Sequence, residues 1–333
     1  MRADLRPGED NESSWLRCDC YFIASLCGVL LVSLLLIVVV DPFDRGHGLS
    51  SMPPGVLDES PRTANVSRGR DQRFDAAIFG NSHIQLIDPH RLSAATGLNF
   101  VQMSVPGTGP REQAALMTWF LRNHANTKAV VLGIDERWCL GDPGMPLTNP
   151  FPFWLYGGDF EYVLNVLSTH SLALAWRRIK IAAGRSPVTD PLGYWNYEDG
   201  RVWNFRPAAE ERAPVDLSPV AGDGMKFPAL DHIEAVLARL PAGTRVLLIM
   251  PPQFVASLPA ATSAAGRELA ACKHDLMLRA SQRNWRFIDY LLDTPLSRNS
   301  ENFWDSEHFR MNVAQAIEQR IAEEVRRSGA LER

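Results

Sequence analysis

Cysteine is scarce in this chain, five in 333 residues, and Cys18, Cys20 and Cys27 lie in or beside one apolar run. No Cys/His cluster has metal-ligand spacing, and Cys18-Asp19-Cys20 stands too isolated and too near the apolar run for a zinc half-site. No metal and no organic cofactor is therefore expected. The remaining two, Cys139 and Cys272, can pair in an oxidising compartment or stay as buried thiols, and their spacing does not choose between these. An excess of positive charge is also missing: Lys and Arg number 34 against 38 Asp and Glu, for a net charge of −4. With no run of Lys and Arg either, nucleic acid is not an expected partner. No internal repeat recurs at a fixed period. Apolar residues are not short, at 46 %, enough for one large α/β domain or two ordinary ones.

Long hydrophobic runs are absent with one exception. Residues Tyr21 to Val40, YFIASLCGVLLVSLLLIVVV, carry no charge and suffice to cross a hydrocarbon core of ~30 Å as a helix. Asp41-Pro42 ends the run, and the β-branched residues before it are unlike a small-residue cleavage site, so an uncleaved anchor is expected. Arg2, Arg6 and Arg17 precede the run and only Arg45 follows closely, a bias that places residues 1–20 in the cytoplasm. The rest then faces the periplasm from a bacterial inner membrane. Residues 41–72, rich in Pro, Gly, Ser and Arg, read as a linker and early wrapping segment, and residues 73–333 as the exported body.

Within the body, short apolar runs alternate with helical patterns. Strands are expected at Arg73 to Phe79, Asn99 to Val105, Lys128 to Ile134, Thr244 to Met250 and Trp285 to Tyr290. Helices are expected from Asp88 to Ala95, Gln113 to His124, Asp231 to Leu240, Thr262 to Arg283 and Phe309 to Arg327. That alternation predicts a parallel sheet covered on both faces. Residues 139–230 break it, a stretch of roughly ninety that is too long for an ordinary connection and reads as an insertion. Its aromatics, among them Trp154, Tyr156, Trp176, Tyr194, Trp195, Tyr197 and Trp203, either pack a small core of its own or line a groove where sugar rings stack; core is the commoner use.

Chemistry points to strand ends, where parallel sheets bind ligands. FDAAIFGNSHIQ, residues 74–85, runs from a buried strand into an abrupt turn carrying Ser82, the local geometry of a nucleophilic serine. Such a hydroxyl needs an imidazole to take its proton, and Asp305-Ser306-Glu307-His308 before the last helix supplies His308 with Asp305 to orient it. The glycine loop Pro106-Gly107-Thr108-Gly109 follows the second strand and offers backbone N–H groups for an oxyanion. These three segments, in this order, resemble the SGNH (GDSL-like) hydrolase and acyltransferase superfamily, and within it the membrane-anchored periplasmic members tied to polysaccharide O-acetylation. The resemblance covers about residues 73–327 apart from the insertion. It implies a three-layer α/β/α fold with Ser82 as nucleophile, His308 as base, Asp305 as its partner and Gly107 as an oxyanion donor. Gly109, Asn81 and His83 are the further candidates for oxyanion or substrate contacts.

One departure stands out. Where many superfamily members carry Gly-x-Asn-Asp after the third strand, this chain has Gly133-Ile134-Asp135-Glu136, so that asparagine donor is missing and a carboxylate takes its place. Ser82 as a turn former, Asp305 as a helix cap and Asp289 as a competing carboxylate are the plainer readings of those residues. His232 and His274, in predicted helices, read as ordinary surface or interface histidines. The expected function is acyl, chiefly acetyl, transfer or ester hydrolysis on a cell-surface polysaccharide, with a membrane acyl-donor protein as a possible partner. A glycan-binding or assembly component with little catalysis is the rival.

Overall fold

The computed structural model describes residues 9–46, 48, 60–139, 149–185, 190–207, 213–222 and 224–330. Five strands form one sheet: β1 (Ala76–Phe79), β2 (Phe100–Gln102), β3 (Ala129–Gly133), β4 (Arg245–Met250) and β5 (Arg286–Asp289). They run in the order β2-β1-β3-β4-β5 and every pairing is parallel. All strands except the edge β5 are buried almost throughout, which explains the continuous apolar runs. Each is shorter than its sequence pattern because the apolar runs continue into the turns beyond the ladder. After β2, for example, Met103 and Val105 still donate backbone N–H groups to Ile78 and Gly80 at 2.8 and 2.9 Å.

The helices, in chain order, are α1 (Glu9–Val40), α2 (Pro61–Arg68), α3 (Pro89–Thr96), α4 (Pro110–Asn123), α5 (Phe153–Tyr156), α6 (Asp159–Val166), α7 (Thr169–Ala182), α8 (Pro228–Leu237), α9 (Ala264–Gln282), α10 (Pro295–Arg298) and α11 (Met311–Ala330). They flank the sheet, α3 packing with α11 and α4 with α8. The chain leaves β1 for β2 on one side and then returns to place β3 on the other. The crevice at the C-terminal ends of β1 and β3 is therefore the topological switch point, the place where open α/β sheets take ligands.

Outside the sheet, α1 contains one stretch, Trp15–Val40, long and apolar enough to cross a membrane. Within the expected linker, α2 is a helix with Val66 and Arg68 buried, and Asp41, Asp44 and Arg45 are buried directly after α1. The end of α1 is thus tied to the body. Arg45 donates to the carbonyls of Leu155 and Gly157 and pairs with Asp159 at 2.7 Å, while Arg178 donates to the Asp41 carbonyl and pairs with Asp44.

The insertion holds α5, α6 and α7. Residues 159–182 form two helices rather than one, because Ser168 caps α7 afresh by accepting from the Ser171 N–H. Beyond it, residues 190–207 fold back over the sheet, with Gln102 donating to the Leu192 carbonyl at 2.8 Å. Gly193 is required there: its φ is +79° and a Cβ would stand 2.5 Å from the Gln102 carbonyl oxygen. Cys139 and Cys272 form a disulfide that ties the segment after β3 to α9.

Candidate active site

The turn after β1 is built to raise Ser82. Gly80 adopts φ +148°, and a Cβ there would sit 2.6 Å from Ile84 Cγ2, so the reversal needs glycine. Gln113 on α4 then clamps the turn: its Oε1 accepts from the Gly80 N–H at 2.9 Å, and its Nε2 donates to the Gly80 carbonyl and to Thr108 Oγ1. Asn81 caps the short 3-10 turn Ser82–Ile84, its Oδ1 accepting the His83 N–H at 3.0 Å. These bonds satisfy the buried backbone groups on both sides of Ser82, whose side chain projects toward the crevice.

His308 arrives from the far end of the chain. Its loop is closed by an antiparallel bridge between Phe303 and Phe309, and the Ser306 carbonyl accepts from Phe254 N–H and Ser257 Oγ. His308 Nε2 lies 2.9 Å from Ser82 Oγ, and its Nδ1 lies 2.9 Å from both carboxylate oxygens of Asp305. With Nδ1 protonated toward the carboxylate, Nε2 is left as the acceptor for the serine proton. Asp305 also accepts the N–H groups of Glu307 and His308. Partial burial alone would raise its carboxyl, but the hydrogen bonds from the His308 ring and these two N–H groups win and hold it down to about 2. Asp305 remains a carboxylate across the neutral range. Its capping role serves this loop rather than the start of α11, which begins at Met311. Asp289 pairs instead with the buried Lys273 at 2.9 Å, which removes it from the competition.

A second imidazole lies beside the first. The His83 ring is buried 5.3 Å from the His308 ring, edge to face. Its Nδ1 stands 3.7 Å from Asp135 and its Nε2 3.5 Å from Glu307. Burial opposes a charge on His83, yet the carboxylates of Glu307, Asp135 and Glu136 outweigh it and push the imidazole up. Asp135 is raised in turn by burial and by Glu136, against the pull of His83, Arg137 and Asn81. The carboxylate that stands where the missing asparagine would be is thus engaged sideways, accepting from Asn81 Nδ2 and the Arg137 N–H.

The glycine loop supplies fewer donors than expected. Gly109 is a correction: as the residue before α4, it gives its N–H to Glu112 at 3.0 Å, closing that helix end. Asn81 likewise spends its carbonyl and an amide proton on the turn and on Asp135. Gly107 takes φ +66°, and Arg62 steadies the loop by donating to the Pro106 carbonyl at 2.7 Å. Among the described residues, neither the Ser82 N–H nor the Gly107 N–H is donated to another protein group. Both are candidate oxyanion donors.

Two clefts flank this edge. One, of about 540 Å³, is lined by Gln85, Pro106, Arg68, Asp190, Tyr194 and Trp195; the other, of about 270 Å³, includes Glu136, Gln253 and Glu307. Tyr197 of the insertion walls the site, its ring 5.9 Å from that of His308 and its hydroxyl donating to the Phe309 carbonyl. Trp203 donates to the Phe303 carbonyl at 2.7 Å and Arg310 pairs with Glu198. The insertion therefore both packs a core and holds the His308 loop. Gln113, Glu307 and Tyr197 carry no motif. A polar residue in the first turn of the helix after a glycine loop was the one local signal for Gln113.

No family model matches the chain, and no curated protein matches it. Among solved structures it is similar to a gut microbial diltiazem-metabolizing enzyme, with 8 % identity, a TM-score of 0.36, and 76 % of this chain and 47 % of that one covered. The chain spans about half the length of that enzyme, a likeness too distant to bear on chemistry.

Proposed function

We propose that the protein is a serine-dependent acyltransferase or esterase, anchored by α1 in the inner membrane with its body on the periplasmic side. Its substrate is an acyl ester, chiefly the O-acetyl groups of a cell-surface polysaccharide. The observation that carries the reading is the row Ser82 Oγ, His308 Nε2, His308 Nδ1 and Asp305, each contact at 2.9 Å. Ser82 Oγ attacks the ester carbonyl carbon while its proton passes to His308 Nε2. The tetrahedral oxyanion is held by the Ser82 and Gly107 N–H groups, each such donor worth ~3 kcal/mol. The ester C–O bond then breaks, His308 gives the proton to the leaving oxygen, and the acyl group stays on Ser82. A sugar hydroxyl or water reverses these steps, returning the proton to Ser82.

Tyr194 and Trp195 beside the Ser82 turn suit a ring-bearing acceptor. The Cys139–Cys272 disulfide supports an oxidising compartment for the body, and Trp15–Val40 supports the anchor. Hydrolysis of an aryl acetate by the full-length protein tests the reading. Activity is expected in the wild type and its loss in Ser82→Ala and His308→Ala; a wild-type rate in either variant refutes the assignment. Asp135 in the asparagine position and the commitment of Gly109 and Asn81 favour a second reading, a glycan-binding component with little turnover. Glycan binding with normal polymer acetylation by the Ser82→Ala protein would select it.

A further inference from the structure

We infer that α6 and α7 form a second membrane contact, an interfacial platform that lies in the lipid headgroup and upper acyl region beside the point where α1 leaves the bilayer. The inference rests on the reading of α1 as a membrane span. Along the last turns of α1, Ser33, Leu36, Ile37 and Val40 are covered by the body while their neighbours are exposed. Their spacing of three and four puts them on one helix face, and α7 is the helix that packs against α1. At 1.5 Å per residue this covered stripe runs about 10 Å back from Val40 into the apolar part of the span. The covering helices therefore sit at the depth of the bilayer surface, and interfacial helices bury their apolar faces by ~5–10 Å.

What these helices expose fits that depth. On α6 and just beyond it, Phe160, Val163, Leu164 and Leu167 are 76, 61, 66 and 43 % exposed, and they recur at spacings of three, one and three. Trp176 on α7 is 60 % exposed. Large apolar side chains clustered in this way on a water-facing surface call for an occupant, and here they lie on a helix pair whose second member packs against α1. Besides the buried Arg178, which holds Asp44, residues 169–185 contain Arg177, Lys180 and Arg185 and no acid, a composition suited to anionic headgroups. The platform is fixed rather than tethered: Asp159, at the start of α6, holds Arg45, and Phe43 packs against Trp154 and His170. Bilayer contact at both places would hold the body in one orientation on the membrane.

The test uses the full chain in proteoliposomes of mixed zwitterionic and anionic lipid, each protein carrying one environment-sensitive fluorophore. Cys27 labelled with Cys18→Ser and Cys20→Ser reports the span. Leu164→Cys and Val202→Cys, with Cys18, Cys20 and Cys27 all replaced by Ser, report the platform and a water-facing site. Lipids spin-labelled near the headgroup or near the chain end serve as quenchers. The expected result is quenching of Cys27 chiefly by the deep label, and quenching of Leu164→Cys by the shallow label several-fold above that of Val202→Cys. Equal, weak quenching at Leu164→Cys and Val202→Cys with Cys27 quenched overturns the platform and leaves the span standing. Loss of quenching at Cys27 overturns the span reading itself. A Leu164→Cys signal insensitive to both lipid labels but altered by excess unlabelled protein would assign the patch to a second copy of the chain, which also overturns the proposal.

Discussion

Two histidines stand 5.3 Å apart at this sheet edge, and they occupy opposite environments. His308 is part-exposed on a loop, with one carboxylate on one nitrogen and a serine hydroxyl on the other. His83 is buried on the turn itself, with carboxylates facing both nitrogens. The ring next to Ser82 in sequence lies between Asp135 and Glu307, and the ring 226 positions later meets the Ser82 hydroxyl at 2.9 Å. A general base needs one nitrogen held and the other open. His308 has that arrangement; in His83 neither nitrogen is held by a short hydrogen bond, Nδ1 being buried without a hydrogen-bond partner 3.7 Å from Asp135 and Nε2 lying 3.5 Å from Glu307.

The comparison breaks most severely at His308. His308→Ala should lower esterase turnover ~10⁴-fold, the upper range for a lost general base, whereas a loss no greater than that of His83→Gln would erase the distinction. Asp305→Asn should cost ~10²-fold, since it keeps a side chain for the loop N–H groups but favours the wrong ring tautomer; steady-state kcat with unchanged far-UV circular dichroism checks it. Gln113→Ala orphans the buried Gly80 N–H, while Val105 still donates to the Gly80 carbonyl, and should destabilise the fold by ~1–3 kcal/mol, read by urea denaturation. A change below about 1 kcal/mol would mean that Gln113 does not hold the turn.

His83→Gln should lower kcat by less than ~10-fold, the smallest effect of the series, because it repositions rather than transfers a proton. Its signature is a pH dependence. His83 is raised above 6.5 in the fold by Glu307, Asp135 and Glu136, with His308 edge-on to the same ring. A raised imidazole contributes stability that is fully present below pH 6.5 and is lost as pH rises through its folded value. Asp135, also raised, has the same sign. Wild-type unfolding free energy should therefore decline above pH 6.5, and His83→Gln should flatten that decline. Asp305 has the opposite sign: its contribution is present above 3.8 and lost as pH falls toward 2.

The five strands and the Ser82 turn were legible because each rests on local pattern: a short apolar run, then Gly80 where a side chain would clash with Ile84. Asp305 and His308 were legible as a spaced pair, and the expectation that they meet Ser82 came from the rule that strand ends converge. The directions of His83 and Asp135 were not, since they follow from contacts with Glu307 and Asn81, far away in the chain. Gly109 misled because a glycine loop and a helix start share the same residues, and the helix took its N–H. The break between α6 and α7 and the docking of α1 depend on Ser168 and on the Arg45–Asp159 pair, 114 positions apart.

The central claim, that Ser82 is activated by His308, is tested most directly by treating the full-length protein with a fluorophosphonate probe and locating the adduct by mass spectrometry. The account predicts a single adduct on Ser82 that disappears in His308→Ala and persists in His83→Gln. No adduct on Ser82 under conditions that label a control serine hydrolase, or labelling that survives His308→Ala, would contradict it.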